Sequence, residues 1–345
     1  MRALPYFLAF LVPFSVWSGW ESGGLWTFQV FVWVYLILPV VDALVGLNTN
    51  NPLSPPSRTE GFLFGLVTWI CLPVLLVLVL AGAVQVTSGD RTTLEITGIT
   101  LSVGAASGIL GITVAHELMH RASRMEYLLG AGLMCLTSYG HFCIEHVHGH
   151  HRRVGTPDDP ATARRGESLY RFLPRTIVGG FVSAWQLEAG RMKRRQRGTF
   201  SFRNRMLRFL VFQGLLYVLV WTWFGMAGVA YFAVQGAIAV FLLEVINYLE
   251  HYGLQRKELS PGRYEAVDER HSWNSAHRFS NLFLFNLARH TDHHWHAGRR
   301  YQSLYHIENA PQLPAGYAAM FLAALVPPLW NRIMEPRLRA LEAHE

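Results

Sequence analysis

The sequence predicts an all-α integral membrane protein of six transmembrane helices with a cytoplasmic, histidine-rich helical cap. Three observations predict this class. The chain of 345 residues is 51% hydrophobic and only 15% charged, with a mean hydropathy of +0.21, whereas an ordinary soluble domain carries about 25% charged residues. Uncharged stretches near the length a bilayer requires, about 20 apolar residues, recur between residues 3 and 243. Finally, 26 of the 30 lysines and arginines fall in two long polar segments, as expected of loops held on one side of a membrane. The net charge of +7 could also signal nucleic-acid binding. No basic low-complexity tail accompanies it, so positive-inside loops explain it better.

Residues 3–20, 22–41, 61–89 and 96–115 contain no Asp, Glu, Lys, Arg or His, and each is read as a span. The run 209–243 is also uncharged but too long for one crossing, and Gly225-Met226-Ala227-Gly228 divides it into a hairpin of two helices. Arg2 before the first apolar run resembles a signal peptide, yet Trp17 and Trp20 stand where a cleavage site wants small residues. Two further apolar stretches are not counted. Residues 127–140 are too short, and 309–331 are interrupted by Pro311, Pro314, Pro327 and Pro328. Both are expected at the interface or packed on the soluble face.

Six crossings place both termini on one side. Segment 121–205 holds 15 Lys plus Arg and segment 249–345 holds 11, while the opposite loops carry only Arg91, so the long segments and the termini are cytoplasmic. The organisation expected is four helices in 1–120, a cytoplasmic or interfacial segment in 121–205, a transmembrane hairpin in 206–250, and a cap in 251–345 ending in an interfacial helix. Cys71, Cys135 and Cys143 include no C-x-x-C pair, so the chain lacks a thiolate iron or zinc ribbon of its own.

The sixteen histidines all follow residue 115. They cluster as His116-Glu-Leu-Met-His120, Glu145-His146-Val-His148-Gly-His150-His151, Asn247-Tyr-Leu-Glu-His251 and His290-Thr-Asp-His293-His294. All four clusters fall on the cytoplasmic side, so they can converge without crossing lipid. Residues at i, i+3 and i+4 share a helical face, which lets each multiple cluster present two or three imidazoles to a point. The resulting candidates are His116, His120, His146, His150, His151, His251, His290, His293 and His294. Nine imidazoles are too many for one ion and suit two first-row transition metals, iron, copper or zinc. His141, His148, His271, His277, His296 and His306 obey no pairing rule and are expected behind the ligands or at the surface, mostly the latter. The H-E-x-x-H string from His116 also matches the zinc protease signature. That site takes three protein ligands and would leave at least six clustered histidines without a role.

At these residues the sequence closely resembles the membrane-bound non-haem diiron alkane hydroxylases, relatives of the membrane fatty-acid desaturases. The family pattern H-E-x-x-H, E-H-x-x-G-H-H, N-Y-x-E-H-Y-G and L-x-R-H-S-D-H-H reads here as HELMH from 116, EHVHGHH from 145, NYLEHYGL from 247 and LARHTDHH from 287. The likeness runs from about residue 25 to 340, through Tyr139-Gly-His-Phe, Thr156-Pro-Asp-Asp-Pro-Ala, Ser272-Trp-Asn-Ser and Tyr301-Gln-Ser-Leu. Departures are Thr291 for a serine, Ala276 interrupting a usual Ser-Asn, and the extra imidazole of His148. The resemblance implies that the nine histidines ligate two irons. It implies O2-dependent terminal hydroxylation of medium-chain linear alkanes in a bacterial inner membrane. It also implies rubredoxin as electron donor, re-reduced by a rubredoxin reductase that uses a nicotinamide cofactor.

The chemistry asks for more than ligands. A terminal C–H bond resists acid–base attack, so it needs an oxidant made from O2 and two electrons at a metal. Nine neutral imidazoles cannot balance two ferrous ions, and Glu117, Glu145, Glu250 and Asp292, each adjoining a ligand, are expected to serve histidines of neighbouring elements. Alkanes offer no hydrogen bond, so binding must come from burying CH2 groups at about 0.8 kcal/mol each. The spans supply the tunnel, with Trp33 and its neighbour Val34 as candidates for setting chain length. The donor is expected to dock on the basic run Arg191-Met-Lys-Arg-Arg-Gln-Arg197, with Arg299 and Arg300. Competing readings are a related desaturase or aromatic side-chain hydroxylase such as xylene monooxygenase, and a bis-histidine haem electron carrier, which would use only two to four of the histidines.

Overall fold

The computed structural model describes residues 2–343, and among these four helices are long and apolar enough to cross a membrane: Gly24–Val45, Arg58–Thr87, Thr93–Met119 and Arg205–His251. The two middle ones begin at capping boxes. Ser57 with Glu60 and Thr92 with Glu95 exchange side-chain and backbone hydrogen bonds, which satisfy N–H groups that a helix start leaves free. Thr93–Met119 is the most enclosed of the four. Its Gly104 explains part of that: a Cβ there would stand 2.7 Å from Ile238 Cβ and 2.8 Å from the Gln235 carbonyl, so only glycine admits the last helix.

The first apolar stretch differs from a full span. It folds as a 3-10 segment, Leu4–Phe10, followed by the helix Leu11–Ser22, which stops at Gly23 with φ of 70°. The long element Arg205–His251 breaks at Gly225 (φ 63°, ψ −163°). Tyr217 and Phe232 then meet edge to face across the break with ring centroids 5.1 Å apart, whereas a straight helix would separate them by about 22 Å. The hairpin expected from Gly225 is therefore present.

The two short apolar stretches form no membrane-length helix. Arg124–Leu136 packs its Gly130 against Ala115 and Leu118. The second stretch gives Tyr317–Ala324 and then Pro327–Glu342. Pro327 and Pro328 occupy the first positions of the last helix, where proline lacks no needed donor. Trp330 follows, buried 5.2 Å from Tyr248 and 5.3 Å from Tyr252.

Two polar anchors tie the C-terminal segment to the membrane helices. Asp42 Oδ1 accepts from the backbone N–H groups of Phe279 (3.1 Å) and Ser280 (2.9 Å) at the start of the helix Arg278–Phe283. The Arg289 guanidinium donates to the carbonyls of Asn48, Asn50 and Leu304. The helix carrying the last histidine cluster follows directly.

Candidate metal centre

All nine histidines singled out by spacing converge, and they do so as two groups. His116, His120, His146, His151 and His293 form one, and His150, His251, His290 and His294 the other, with the ligand atoms of each group within 4.8 Å of one another. In the first, His116 Nε2 and His146 Nε2 are 2.6 Å apart and His146 Nε2 and His151 Nε2 are 3.0 Å apart. In the second, His290 Nε2 lies 3.0 Å from His294 Nε2 and 3.1 Å from His251 Nε2, and His150 Nε2 lies 3.2 Å from His294 Nε2.

Local backbone explains the partition. His146–His150 is a π turn in which His151 N–H donates to the His146 carbonyl, so residues five apart share a side. His146 and His151 thus join one group while His150 turns to the other. The last cluster divides as well, His290 and His294 together at i,i+4 and His293 apart. Expecting each cluster to aim at one point was therefore wrong for these two, because an α-helical face was assumed where the first is a π turn and the second splays its i+3 side chain.

The donor set fits transition metals. Nitrogen ligands about 2.1 Å from one ion stand roughly 3.0–3.4 Å from each other, near the spacings found. His120 Nε2 and His293 Nε2 are buried without a hydrogen-bond partner, a costly state that a metal would relieve. Burial first, and mutual repulsion second, holds the pKa of His146, His151, His290, His293 and His294 well below the usual histidine value. They are neutral, as ligands must be.

The carboxylates follow the expectation less well. Glu117 accepts from Arg121 and the Tyr301 backbone, Glu145 from Arg153 and Ser183, and Asp292 from His296, Arg299 and the Tyr305 backbone. None of the three bonds a clustered histidine; Glu117 and Glu145 instead tie their helices to Tyr301 and Ser183, and Asp292 ties its helix to Arg299 and Tyr305. Glu250 accepts from Tyr317 Oη at 2.9 Å and comes within 3.2 Å of His290 Nδ1, off the line of a hydrogen bond. The carboxylate that does orient a clustered histidine is Asp159, which sequence reasoning missed. Its Oδ2 accepts from His150 Nδ1 at 2.9 Å and Thr162 Oγ1 at 2.6 Å, all buried. Burial lowers the His150 pKa, but the Asp159 charge and hydrogen bond more than reverse this. The signal available was Thr156-Pro-Asp-Asp-Pro-Ala, in which no spacing rule separates exposed Asp158 from buried Asp159.

A cavity of about 430 Å³ reaches this site. His116 and Glu250 border it at one end, Ile112, Leu243 and Ala288 are among its apolar walls, and both Trp33 and Val34 line it. Two of its walls contain π turns, Trp33–Ile37 and Ser107–Ile112, the irregularity that often marks a functional helix. Trp33 lines the cavity and is 53% exposed, so it walls the cavity without filling it. Of the remaining histidines, His141 and His271 are buried, contrary to the surface position expected, His271 between Asp268 and Glu265. His148 Nε2 accepts from Arg205 at 3.1 Å and takes no place in either group.

A site of clustered, largely buried imidazoles at the mouth of a mostly apolar cavity inside a helical membrane bundle defines a membrane-bound non-haem metalloenzyme. The fatty acid desaturase family model matches residues 94–324. Alkane 1-monooxygenase 1 of Pseudomonas aeruginosa is 41% identical over 98% of this chain and 90% of its own length. Alkane 1-monooxygenase 2 of Alcanivorax borkumensis is 41% identical over 96% of this chain and 88% of its own. The hydroxylase component of a xylene/toluene monooxygenase from Pseudomonas putida is 28% identical over 98% and 90%. The chain belongs to the fatty acid desaturase family and, within it, to the alkane 1-monooxygenases.

Proposed function

We propose that this protein hydroxylates the terminal carbon of medium-chain linear alkanes at two irons, held by His116, His120, His146, His151 and His293 on one side and His150, His251, His290 and His294 on the other. The observation that carries the reading is the apolar cavity ending on His116 and Glu250, where the two histidine groups meet. The higher identity to alkane 1-monooxygenases than to the xylene/toluene enzyme favours a linear alkane over an aromatic side chain.

When bound, the irons supply the O2-derived oxidant that an unactivated C–H bond demands. The chain supplies the rest. Apolar walls bind the alkane by removing CH2 groups from lipid or water, at about 0.8 kcal/mol each from water, and they keep bulk water from the reacting carbon. Asp159 holds the proton on His150 Nδ1, leaving Nε2 free to ligate. Glu250, kept in place by Tyr317, sets a carboxyl group beside the four-histidine group.

Electrons come from rubredoxin and its reductase on the cytoplasmic face of a bacterial inner membrane. Counting Leu4–Ser22 and both arms of the hairpin as crossings gives six, with the termini and the arginine-rich segments cytoplasmic. Arg191, Arg299 and Arg300 are engaged by Glu188, Asp292 and Glu126. Exposed Lys193, Arg194, Arg195 and Arg197 remain as the docking patch for an acidic donor.

The test is metal analysis with an alkane-to-alkanol assay in which rubredoxin, its reductase and nicotinamide cofactor are supplied. About two irons per chain and 1-alkanol formed only with the donor are expected. Near-stoichiometric zinc with proteolytic activity, or turnover without the donor protein, sinks the reading.

A further inference from the structure

The cavity has two chemically different ends. Opposite the histidines, Gln29 Nε2 donates to the Ser15 carbonyl and to Ser18 Oγ, both at 2.6 Å, and Ser18 Oγ donates to the Ser15 carbonyl at 3.2 Å. Ser15, Ser18 and Gln29 all line the cavity. These bonds use both amide hydrogens of Gln29, and among the described residues nothing donates to its Oε1. Ser15 Oγ is likewise buried without a partner. An amide serving only to clamp two helices would leave no reason for a free acceptor at this end of a mostly apolar cavity.

The distance between the ends follows from the helices. Ser102 Oγ donates to the Thr27 carbonyl at 2.6 Å, which sets Thr27, two residues before Gln29, level with Ser102. His116 lies further along the same helix as Ser102, so a rise of about 1.5 Å per residue puts Gln29 roughly 18 Å from His116. An extended alkyl chain advances about 1.3 Å per carbon, so about 12 to 14 carbons bridge the two ends.

We infer that the Ser15–Ser18–Gln29 end receives the oxygen of a straight-chain primary alcohol, so that the enzyme also converts alkanols of this length into α,ω-diols. The inference rests on the alkane-hydroxylase reading. In the step, the C–H bond of the far methyl breaks and a C–O bond forms there with one atom of O2. The other oxygen atom leaves as water, reduced by two electrons from the donor protein and joined by two protons. The hydroxyl already on the chain donates to Gln29 Oε1 and is unchanged. An alkane of the same length sets a methyl against that acceptor and leaves it unsatisfied, a difference of about tenfold.

The experiment compares 1-alkanols with n-alkanes from eight to sixteen carbons in the iron-loaded enzyme, wild type and Gln29→Leu. In wild type the alkanol-to-alkane ratio of kcat/KM should peak at 12 to 14 carbons with α,ω-diol as product, and Gln29→Leu should lower that peak about tenfold. Equilibrium binding without the electron donor gives a readout free of turnover. Labelled 1-tetradecanol should bind about tenfold tighter than tetradecane, a preference that Gln29→Leu erases. A flat wild-type ratio, or alkane hydroxylation with no diol, overturns the inference while leaving the alkane reading standing. Hydroxylation of neither substrate defeats both.

Discussion

The two histidine groups are built from the same chain segments but not alike. The five-histidine group has two members, His120 and His151, that are partly exposed, and among the described residues no carboxylate bonds any of the five directly. The four-histidine group is wholly buried, with Asp159 on His150 and Glu250 close to His290. Fewer imidazoles and more carboxyl groups therefore meet in the drier place, where an uncompensated dication would be costliest. The two positions are inequivalent by construction. They are also inseparable, because the turn His146–His150 and the helix His290–Trp295 feed both.

The largest effect should come from removing one ligand of each group. His293→Ala empties the first group and His251→Ala the second, and in either case alkane turnover should fall to background, since both metals share the electrons of one reaction. His116→Ala should behave as His293→Ala does. Metal analysis sharpens the comparison: each variant should retain about one iron instead of about two. Wild-type turnover in any of them shows that the ligand set is drawn wrongly.

Asp159→Ala comes next. Outer partners of ligating histidines typically change metal affinity 10–100-fold, so chelator titration should reveal one weakened class of site beside one unchanged. Asp159→Asn, which keeps a hydrogen-bond acceptor, should lose less. Equal weakening of both sites breaks the claim that Asp159 acts through His150 alone.

Why the histidines were legible and Asp159 was not has a physical cause. Four clusters at i,i+3 and i,i+4 spacing announce themselves because ligand geometry and helix geometry share a period. The distribution of lysines and arginines likewise predicts that the four clusters share one side. Asp159 lies in a loop whose chain path, not its period, decides what its side chain meets. The partition of His146 and His151 from His150 depends on a π turn, an extra residue in one turn that no residue pattern marks. Gly225 was readable as a break because few other residues tolerate positive φ. By contrast, the truncated helix at Leu11–Ser22 and its 3-10 approach follow from packing against neighbours, which hydropathy does not record.

A smaller effect is expected where the cavity leaves the metal end. Trp33→Ser widens the wall and should lengthen the preferred alkane, while Val34→Trp should shorten it. Each extra CH2 gains about 0.8 kcal/mol only where it finds dry space. The optimum should therefore move with turnover of the new best substrate largely kept, because both positions lie on a helix that contributes no histidine to either group. An unchanged profile over linear alkanes in both variants returns Trp33 to ordinary packing against lipid.

The smallest effect is predicted for His148, and it is the sharpest control on the two-group description. His148 sits inside the turn that supplies two clustered histidines, His146 and His150, so proximity in sequence alone would make it a tenth ligand. Its ring instead points away, half-buried, with Nε2 3.1 Å from an Arg205 guanidinium that also pairs with Glu188. A cation there opposes metal binding at the same ring. Its bond to Arg205 is a partly exposed contact whose loss should cost about 1 kcal/mol or less. His148→Gln, which can still accept from Arg205, should therefore keep full iron content and at least about half of wild-type turnover, within the range a small stability loss allows. Loss of one iron in this variant would mean that the π turn rotates when metal binds and that the five-and-four partition does not describe the loaded enzyme. Iron content, read beside activity, separates that outcome from simple destabilisation, which lowers the yield of folded protein without changing the metal carried by each chain.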